Sequence, residues 1–423
     1  MTSDRRVVVI GGGLAGLRCA ARLTAGGAAA VTVLGEEPHA PYNRVLLAEI
    51  LAGRYAPEVI ALPEPGAALR RGVRAVRVDR AERAVHCDDG AVLGYDTLVL
   101  ATGSNPVLPP LRGLFEPDGR ELPEGVHAFR TMDDCLALSA AVRPGLRAVV
   151  IGGGLLGVSA ARALAARGAQ VVLAQQAERL MERQLDAAAS ALLGAHLTAL
   201  GIEIHTECRV RGLTKAAAPR PGAGTRVTGV ELADGYRLDA ELVVLACGVR
   251  PRTGLARAAG LEVRSGIVVD DRLRTSDPRI HAIGDCAEHD GRVYGLAGAA
   301  LEQADALAAA LTGTGGPLGT YTGTRALTRL TLTPGDGAGG FPGGGAPLDL
   351  AAFGEPTPLP GDDVIRLADA TRRTYRQVVV RGDRLVGGVL LGELSTVGAL
   401  ARSWEDGEAL TDFSHLLTDD GGS

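Results

Sequence analysis

Apolar residues in this chain gather in short β-branched runs, each followed by a glycine turn and then a stretch with helical spacing. That alternation predicts parallel strands buried on both faces, with helices as crossovers. Arg6-Val7-Val8-Val9-Ile10 is the first such run. It feeds Gly11-Gly12-Gly13-Leu14-Ala15-Gly16, which fits G-x-G-x-x-G, and Leu17, Ala20, Ala21 and Leu23 then recur at helical spacing. Gly26-Gly27 stops that helix, and Val31 to Leu34 predict the next strand, just before Glu36. Each residue type has a physical task. Gly11 makes the tight turn, Gly13 lets a pyrophosphate approach the backbone, and Gly16 lets helix and strand pack closely. The helix N-terminus offers unpaired N–H groups to phosphate, and Glu36 suits a ribose hydroxyl. Strand, turn, helix, strand and acid in this order predict a dinucleotide site.

The pattern then repeats. Arg147 to Ile151 predict a strand, Gly152-Gly153-Gly154-Leu155-Leu156-Gly157 is a second G-x-G-x-x-G, and Val158 to Ala166 predict a helix. Gly168 ends it, and Val171-Val172-Leu173 lead to Gln175. The nearly apolar stretch from Ala148 to Ala166 has the length of a membrane span, but its three consecutive glycines and Arg162 identify it as this second turn. Between the two units, His39 to Leu47 form a turn leading into a helix, residues 73–87 alternate as strands, and Asp88-Asp89-Gly90 marks a hairpin. Tyr95 to Gly103 predict a buried strand with a Thr-Gly end, followed by a proline-rich connector. Strands are further expected within 202–210, 226–232 and 237–247, the last running into Gly248-Val249-Arg250-Pro251. Ile280 to Cys286 predict one more strand, and a helix is expected over 299–311. Pro334 to Pro347 read as a flexible loop, and strands at 375–380 and 385–391 flank the Arg381-Gly382-Asp383 turn.

Composition narrows the function classes. At 46% hydrophobic and 22% charged residues the chain has a globular character, and a net charge of −5 gives no reason to expect nucleic acid or a membrane as partner. The opening apolar stretch holds a glycine turn followed by Arg18 and Arg22, unlike a secretory signal. Cys19, Cys87, Cys135, Cys208, Cys247 and Cys286 show no C-x-x-C spacing and read as reduced thiols of a cytoplasmic protein, and no metal site is expected. Lys215 is the only lysine, the mark of a GC-rich genome rather than a functional device.

Two glycine turns together with Ala101-Thr102-Gly103, Gly248-Val249-Arg250-Pro251 and Ala282-Ile283-Gly284-Asp285 resemble the glutathione-reductase-like pyridine nucleotide flavoproteins. The resemblance spans roughly residues 5–315. Pro41 to Leu47, Arg179 to Asp186 and Arg292 to Leu296 are most similar to the flavoprotein part of assimilatory NAD(P)H nitrite reductases and nitrate reductase electron-transfer subunits. The resemblance implies an α/β fold with two Rossmann-like domains, the FAD domain being discontinuous (1–112 and 245–318) around an NAD(P) domain at 113–244. A small α+β domain is expected at 319–423.

The implied cofactors are FAD and NAD(P)H. For FAD the resemblance carries over Gly11, Gly13, Leu14, Ala15 and Gly16 to the pyrophosphate, Glu36 to the ribose and Arg44 to the phosphates or flavin. It brings the Val76 backbone to adenine, Ala101, Thr102 and Gly103 to the dinucleotide, Gly284 and Asp285 to the ribityl chain, and Tyr294, Gly295, Leu296 and Ala297 to the flavin pyrimidine. For NAD(P)H it implies Gly152, Gly154, Leu155, Leu156, Gly157, Gln175 and Gly248. Relatives usually carry Glu where Ser159 stands and often where Gln175 stands, so NADH and NADPH both remain open. No catalytic side chain is implied, because no cysteine lies near residues 40–50, where the thiol-using members keep theirs. The expected acceptor is a separate redox protein, either a nitrite or nitrate reductase or a small iron–sulfur protein. The chain is expected to act as a monomer or homodimer. Two other readings are an oxygenase-linked ferredoxin or rubredoxin reductase, and a flavin-binding subunit with a decayed nicotinamide site.

Overall fold

A computed structural model describes residues 5–27, 30–116, 119, 121–218, 224–313, 320–325, 327–333, 347–407 and 409. The chain divides into two compact units. The first comprises residues 1–46, 55–105 and 249–326; the second comprises 47–54, 106–248 and 327–423.

In the first unit, strand β1 (Arg6–Ile10), helix α1 (Leu14–Ala25) and strand β2 (Ala30–Gly35) form as the pattern predicts. β1 sits at the centre of a five-stranded parallel sheet. It pairs with β2 on one side and with Thr97–Leu100 on the other, and the edges are Ala68–Arg71 and Ile280–Ala282. Val7, Val8, Val9, Leu98, Val99 and Leu100 are buried, as a sheet covered on both faces requires. On one face α1 packs against the helix Ala297–Thr312 (expected over 299–311), and Asp305 of that helix receives Arg18 Nε and Nη2 at 2.7 and 2.8 Å. The 73–87 alternation resolves into antiparallel strands Ala75–Asp79 and Ala84–Cys87, and the Asp88–Gly90 turn leads into Val92–Gly94. His281, inside its strand, is a core residue: burial pushes its imidazole pKa down to about 4, so it is neutral near pH 7.

The second unit repeats the plan with Arg147–Ile151 at the centre of a parallel sheet ordered 202–205, 170–174, 147–151, 242–245, 126–128. An antiparallel three-stranded sheet, Val210–Ala217, Thr225–Leu232 and Arg237–Asp239, accompanies it. The C-terminal residues add an antiparallel sheet of five strands, where only two were expected, and the helix Val397–Asp406. The additional strands are Leu327–Leu332, Leu348–Gly354 and Asp363–Asp369. Asp363–Asp369 is a largely exposed edge strand whose apolar residues fall on both faces (Ile365 and Leu367 on one, Val364 and Ala368 on the other), and so shows no alternation to read. Of the expected flexible loop, residues 334–346 lie outside the described residues.

A charged network holds these pieces of the second unit together. Arg162, on the helix Leu155–Ala166, is 2% exposed, yet its guanidinium bonds Glu49 and donates to the Thr333 carbonyl at 3.2 Å. Glu49 also accepts from Arg54 at 2.9 Å, and Arg54 bonds the Thr333 hydroxyl. One carboxylate thereby neutralises two cations at the meeting of the short helix Leu47–Leu51, the Rossmann helix and the C-terminal sheet. Removing the anion leaves the buried Arg162 guanidinium without its carboxylate, a loss of about 3 kcal/mol or more. Glu49→Ala should therefore lower the denaturation midpoint by that equivalent, measured by urea unfolding. A change below about 0.5 kcal/mol, the scale of an ordinary surface substitution, would show that the network does not bind the unit together.

Candidate functional site

The two glycine turns have the same geometry. Gly11 lies at φ +124°, and a Cβ there would come 2.0 Å from the Ala101 carbonyl oxygen. A Cβ on Gly16 would come 2.0 Å from the Gly11 oxygen. In the second unit Gly152 lies at φ +111°, with the corresponding positions 2.4 Å from the Ala246 oxygen and, for Gly157, 1.7 Å from the Gly152 oxygen. These four glycines are required by close packing. Gly13 and Gly154 differ: each has ordinary extended backbone and nothing within 4 Å of where a Cβ would stand. Both are N-caps of twelve-residue helices and make no side-chain cap, so the first-turn N–H groups of Leu14 to Gly16 and of Leu155 to Gly157 face an open space suited to an anion.

The residues predicted for the first turn all belong to the first unit. Ala101 to Gly103 follow the neighbouring strand, and Gly103 and Gly284 both lie at positive φ. The Asp285 carboxylate accepts from the Ser104 hydroxyl at 2.8 Å, which fixes it at the end of the Ile280–Ala282 strand. Val76 falls at a register irregularity in the Ala75–Asp79 strand and is half exposed. Tyr294 and Gly295 precede Leu296, the N-cap of the sixteen-residue helix starting at Ala297, again without a side-chain cap. Arg44 is held by ion pairing to Glu37, by donating to the Tyr42 hydroxyl at 2.9 Å, and by lying 4.9 Å from the Tyr42 ring centroid.

Three supporting residues escaped sequence reading. Gln303, 1% exposed, accepts the Gly284 N–H at 2.7 Å and donates to the Tyr321 hydroxyl at 3.3 Å, so it pins the turn that carries Asp285. Its side chain acts nineteen residues away in sequence, beyond any local motif. Glu37 orients Arg44. Arg252 makes a two-pronged pair with Glu36, one arm at 2.8 Å, and this pairing, with Arg74 and Arg44 farther off, holds the Glu36 carboxyl below its usual range.

Around the second turn, Gln175 is a brace. Its Oε1 accepts the Gly153 N–H at 2.8 Å and its Nε2 donates to the Arg179 carbonyl at 3.2 Å. Ser159 is buried and donates to the Leu155 carbonyl one helical turn back. Gly248 lies at φ +94° with open space beside it.

The thiols are poorly placed for chemistry. Burial pushes Cys19 up to about 12 and Cys135 and Cys247 to about 11, and it raises Cys87, Cys208 and Cys286 as well. A thiol protonated near neutral pH is a weak nucleophile.

A family model described as pyridine nucleotide-disulphide oxidoreductase matches residues 5–304 and so takes in both turns. The chain belongs to this family. An assimilatory nitrate reductase electron transfer subunit of Bacillus subtilis (strain 168) is 32% identical over 397 residues, covering 92% of this chain and 48% of that protein. A nitrite reductase [NAD(P)H] of the same organism is 34% identical over 399 residues, covering 92% of this chain and 46% of that protein. The chain thus spans about half the length of these curated relatives. Among known structures, the covalent putidaredoxin reductase–putidaredoxin complex matches with a TM-score of 0.81 at 27% identity, covering 99% of this chain and 96% of that one. Membership accounts for the paired Rossmann units. The disulphide in the family's description has no counterpart in the six cysteines, which are free thiols.

The geometry separates two kinds of glycine, and substitution should separate them too. Gly13→Val should fold and lose flavin, because its side chain meets only the space a pyrophosphate would take. Gly11→Val should fail to fold stably, since it meets the Ala101 backbone at a positive φ. Circular dichroism and the absorbance ratio of flavin to protein report both; a folded Gly13→Val protein with full flavin would refute the assignment.

Proposed function

We propose that this chain is an FAD-dependent NAD(P)H oxidoreductase that passes electrons to a separate redox protein, in nitrite or nitrate assimilation. The observation that carries the reading is the duplicated turn: two open glycine positions, each at an uncapped helix N-terminus, each in its own parallel sheet. FAD belongs to the first and NAD(P)H to the second. The first is completed by a carboxylate at the end of β2 and another at Asp285, which match the hydroxyls of a ribose and a ribityl chain. The curated relatives align over 92% of the chain, well beyond the share that the family model at residues 5–304 takes in, which favours the assimilatory role. The similarity to putidaredoxin reductase supports a second reading, in which the acceptor is a small iron–sulfur protein serving an oxygenase.

Bound FAD supplies the step from hydride acceptance to single-electron donation. The chain's own part is to bind and orient. First-turn N–H groups of α1 and of Leu155–Ala166 hold phosphates, Gln303 keeps Gly284 and Asp285 in place, and the helix beginning at Ala297 directs its positive end at negative charge. No side chain need act as acid, base or nucleophile. Among the described residues no helix is long and apolar enough to cross a membrane.

Gln175 bears on the choice of nucleotide. As an amide it braces Gly153 without repelling a 2′-phosphate, so the wild type should accept NADH and NADPH with weak discrimination. Gln175→Glu keeps the acceptor for Gly153, loses the donor to Arg179 and adds a charge. It should shift the preference toward NADH by about 1–3 kcal/mol while weakening both. Stopped-flow reduction of the flavin by each nucleotide measures this; an unchanged NADH/NADPH ratio would contradict the placement of the nucleotide on the second turn.

A further inference from the structure

The first glycine turn is bounded on two sides. On one, Gly11 packs against Ala101, and Thr102 and Gly103 follow; on the other, Gly12 packs against Gly35, its added Cβ falling 3.4 Å from the Gly35 Cα, and Glu36 follows. Arg252 bridges these flanks. Its backbone belongs to the first flank, where its N–H donates to the Gly103 carbonyl at 2.9 Å and its carbonyl accepts the Thr102 hydroxyl at 2.8 Å. Its guanidinium reaches the second flank and takes both Glu36 oxygens. The side chain therefore passes the carboxyl end of β1, where the turn opens at Gly13.

The geometry points to Arg252 as a cofactor-binding residue that clamps Glu36 toward the ribose and places a fixed cation beside the pyrophosphate of the adenosine diphosphate half. This rests on the reading of the first turn as the FAD site. Glu36 can serve both partners, because a carboxylate offers about four lone-pair directions and a forked guanidinium uses only two. The guanidinium likewise has N–H groups beyond the two that face Glu36. Other nearby cations are engaged elsewhere: Arg44 is paired with Glu37, and Arg74 lies 3.7 Å from Asp88. Both members of the Arg252–Glu36 pair are about one-third exposed, so the pair itself adds little to stability and substitution should leave the fold intact.

The test uses the full chain stripped of flavin and titrated with FAD, ADP and FMN at low and high salt. Arg252→Asn should weaken FAD and ADP by roughly tenfold or more, the scale of one charge-assisted hydrogen bond, and flatten their salt dependence. FMN, which lacks the adenylate half and keeps only one phosphate, should lose far less than FAD or ADP. Arg252→Lys should recover the salt dependence but only part of the affinity, since it restores the charge without the fork. FAD and ADP binding that is indifferent to Arg252→Asn, or an equal loss for FMN, would overturn the assignment. Protein that binds ADP through Arg252 yet takes up no FAD would sink the flavin reading and leave Arg252 standing. Wild-type protein that binds neither FAD nor ADP would overturn both.

Discussion

Backbone pressed against backbone at the foot of each Rossmann helix is the constraint on which the rest depends. Where Gly11 meets Ala101, and Gly152 meets Ala246, the turn leaving one strand touches the end of its neighbour with no room for a side chain. Gly16 and Gly157 bring the helix down onto that turn with equal closeness. The contact fixes where each helix begins, and therefore where its unpaired N–H groups point. A helix set even slightly farther out would present the same groups with less convergence on a phosphate. Binding here is thus a consequence of packing, which is why the same six-residue pattern recurs in both units while the residues around it differ.

Much of this was legible in the sequence because the relevant physics is local. A buried parallel strand needs a β-branched run, the turn needs glycine, and the helix shows its period within a dozen residues. The inner strands of both central sheets, α1 and the Gly284-Asp285 strand end follow from such signals, whereas the edge strands Ala68–Arg71 and Val126–Ala128 do not. The illegible parts are those whose partners are far apart in sequence. Glu36 and Arg252 are separated by 216 positions, and neither residue type alone announces the other. Gln303 looks like any polar residue on a helix until its amide is seen holding Gly284. Gln175 read as a weakened nucleotide ligand, whereas its amide also has a bracing task that uses both of its ends. In the C-terminal sheet, Asp363–Asp369 is an edge strand exposed for most of its length, so no buried face imprints a period of two.

The surroundings of the turns also say which chemistry the chain is not built for. Desolvation is the first cause that raises each of the six thiols, so the thiolate is disfavoured near neutral pH. Several charged residues are held in position by polar partners: Arg44 by Glu37, Asp285 by Ser104, and Arg54 and Arg162 by Glu49. That division, with rigid polar scaffolding from the protein and reactive atoms from the cofactors, is what an electron-transfer flavoprotein without a thiol relay requires.

The central claim is that a single flavin, fed by a nicotinamide nucleotide, is the whole redox inventory of this chain. An anaerobic reductive titration of the purified protein tests it most directly. The account predicts that NADH or NADPH bleaches the flavin completely, that the electrons taken up equal one flavin's worth, and that no long-wavelength thiolate-to-flavin band appears. Uptake of a second pair of electrons with such a band would contradict it, because it would require a disulfide and thiolate in a protein whose six cysteines are free thiols with raised pKa values.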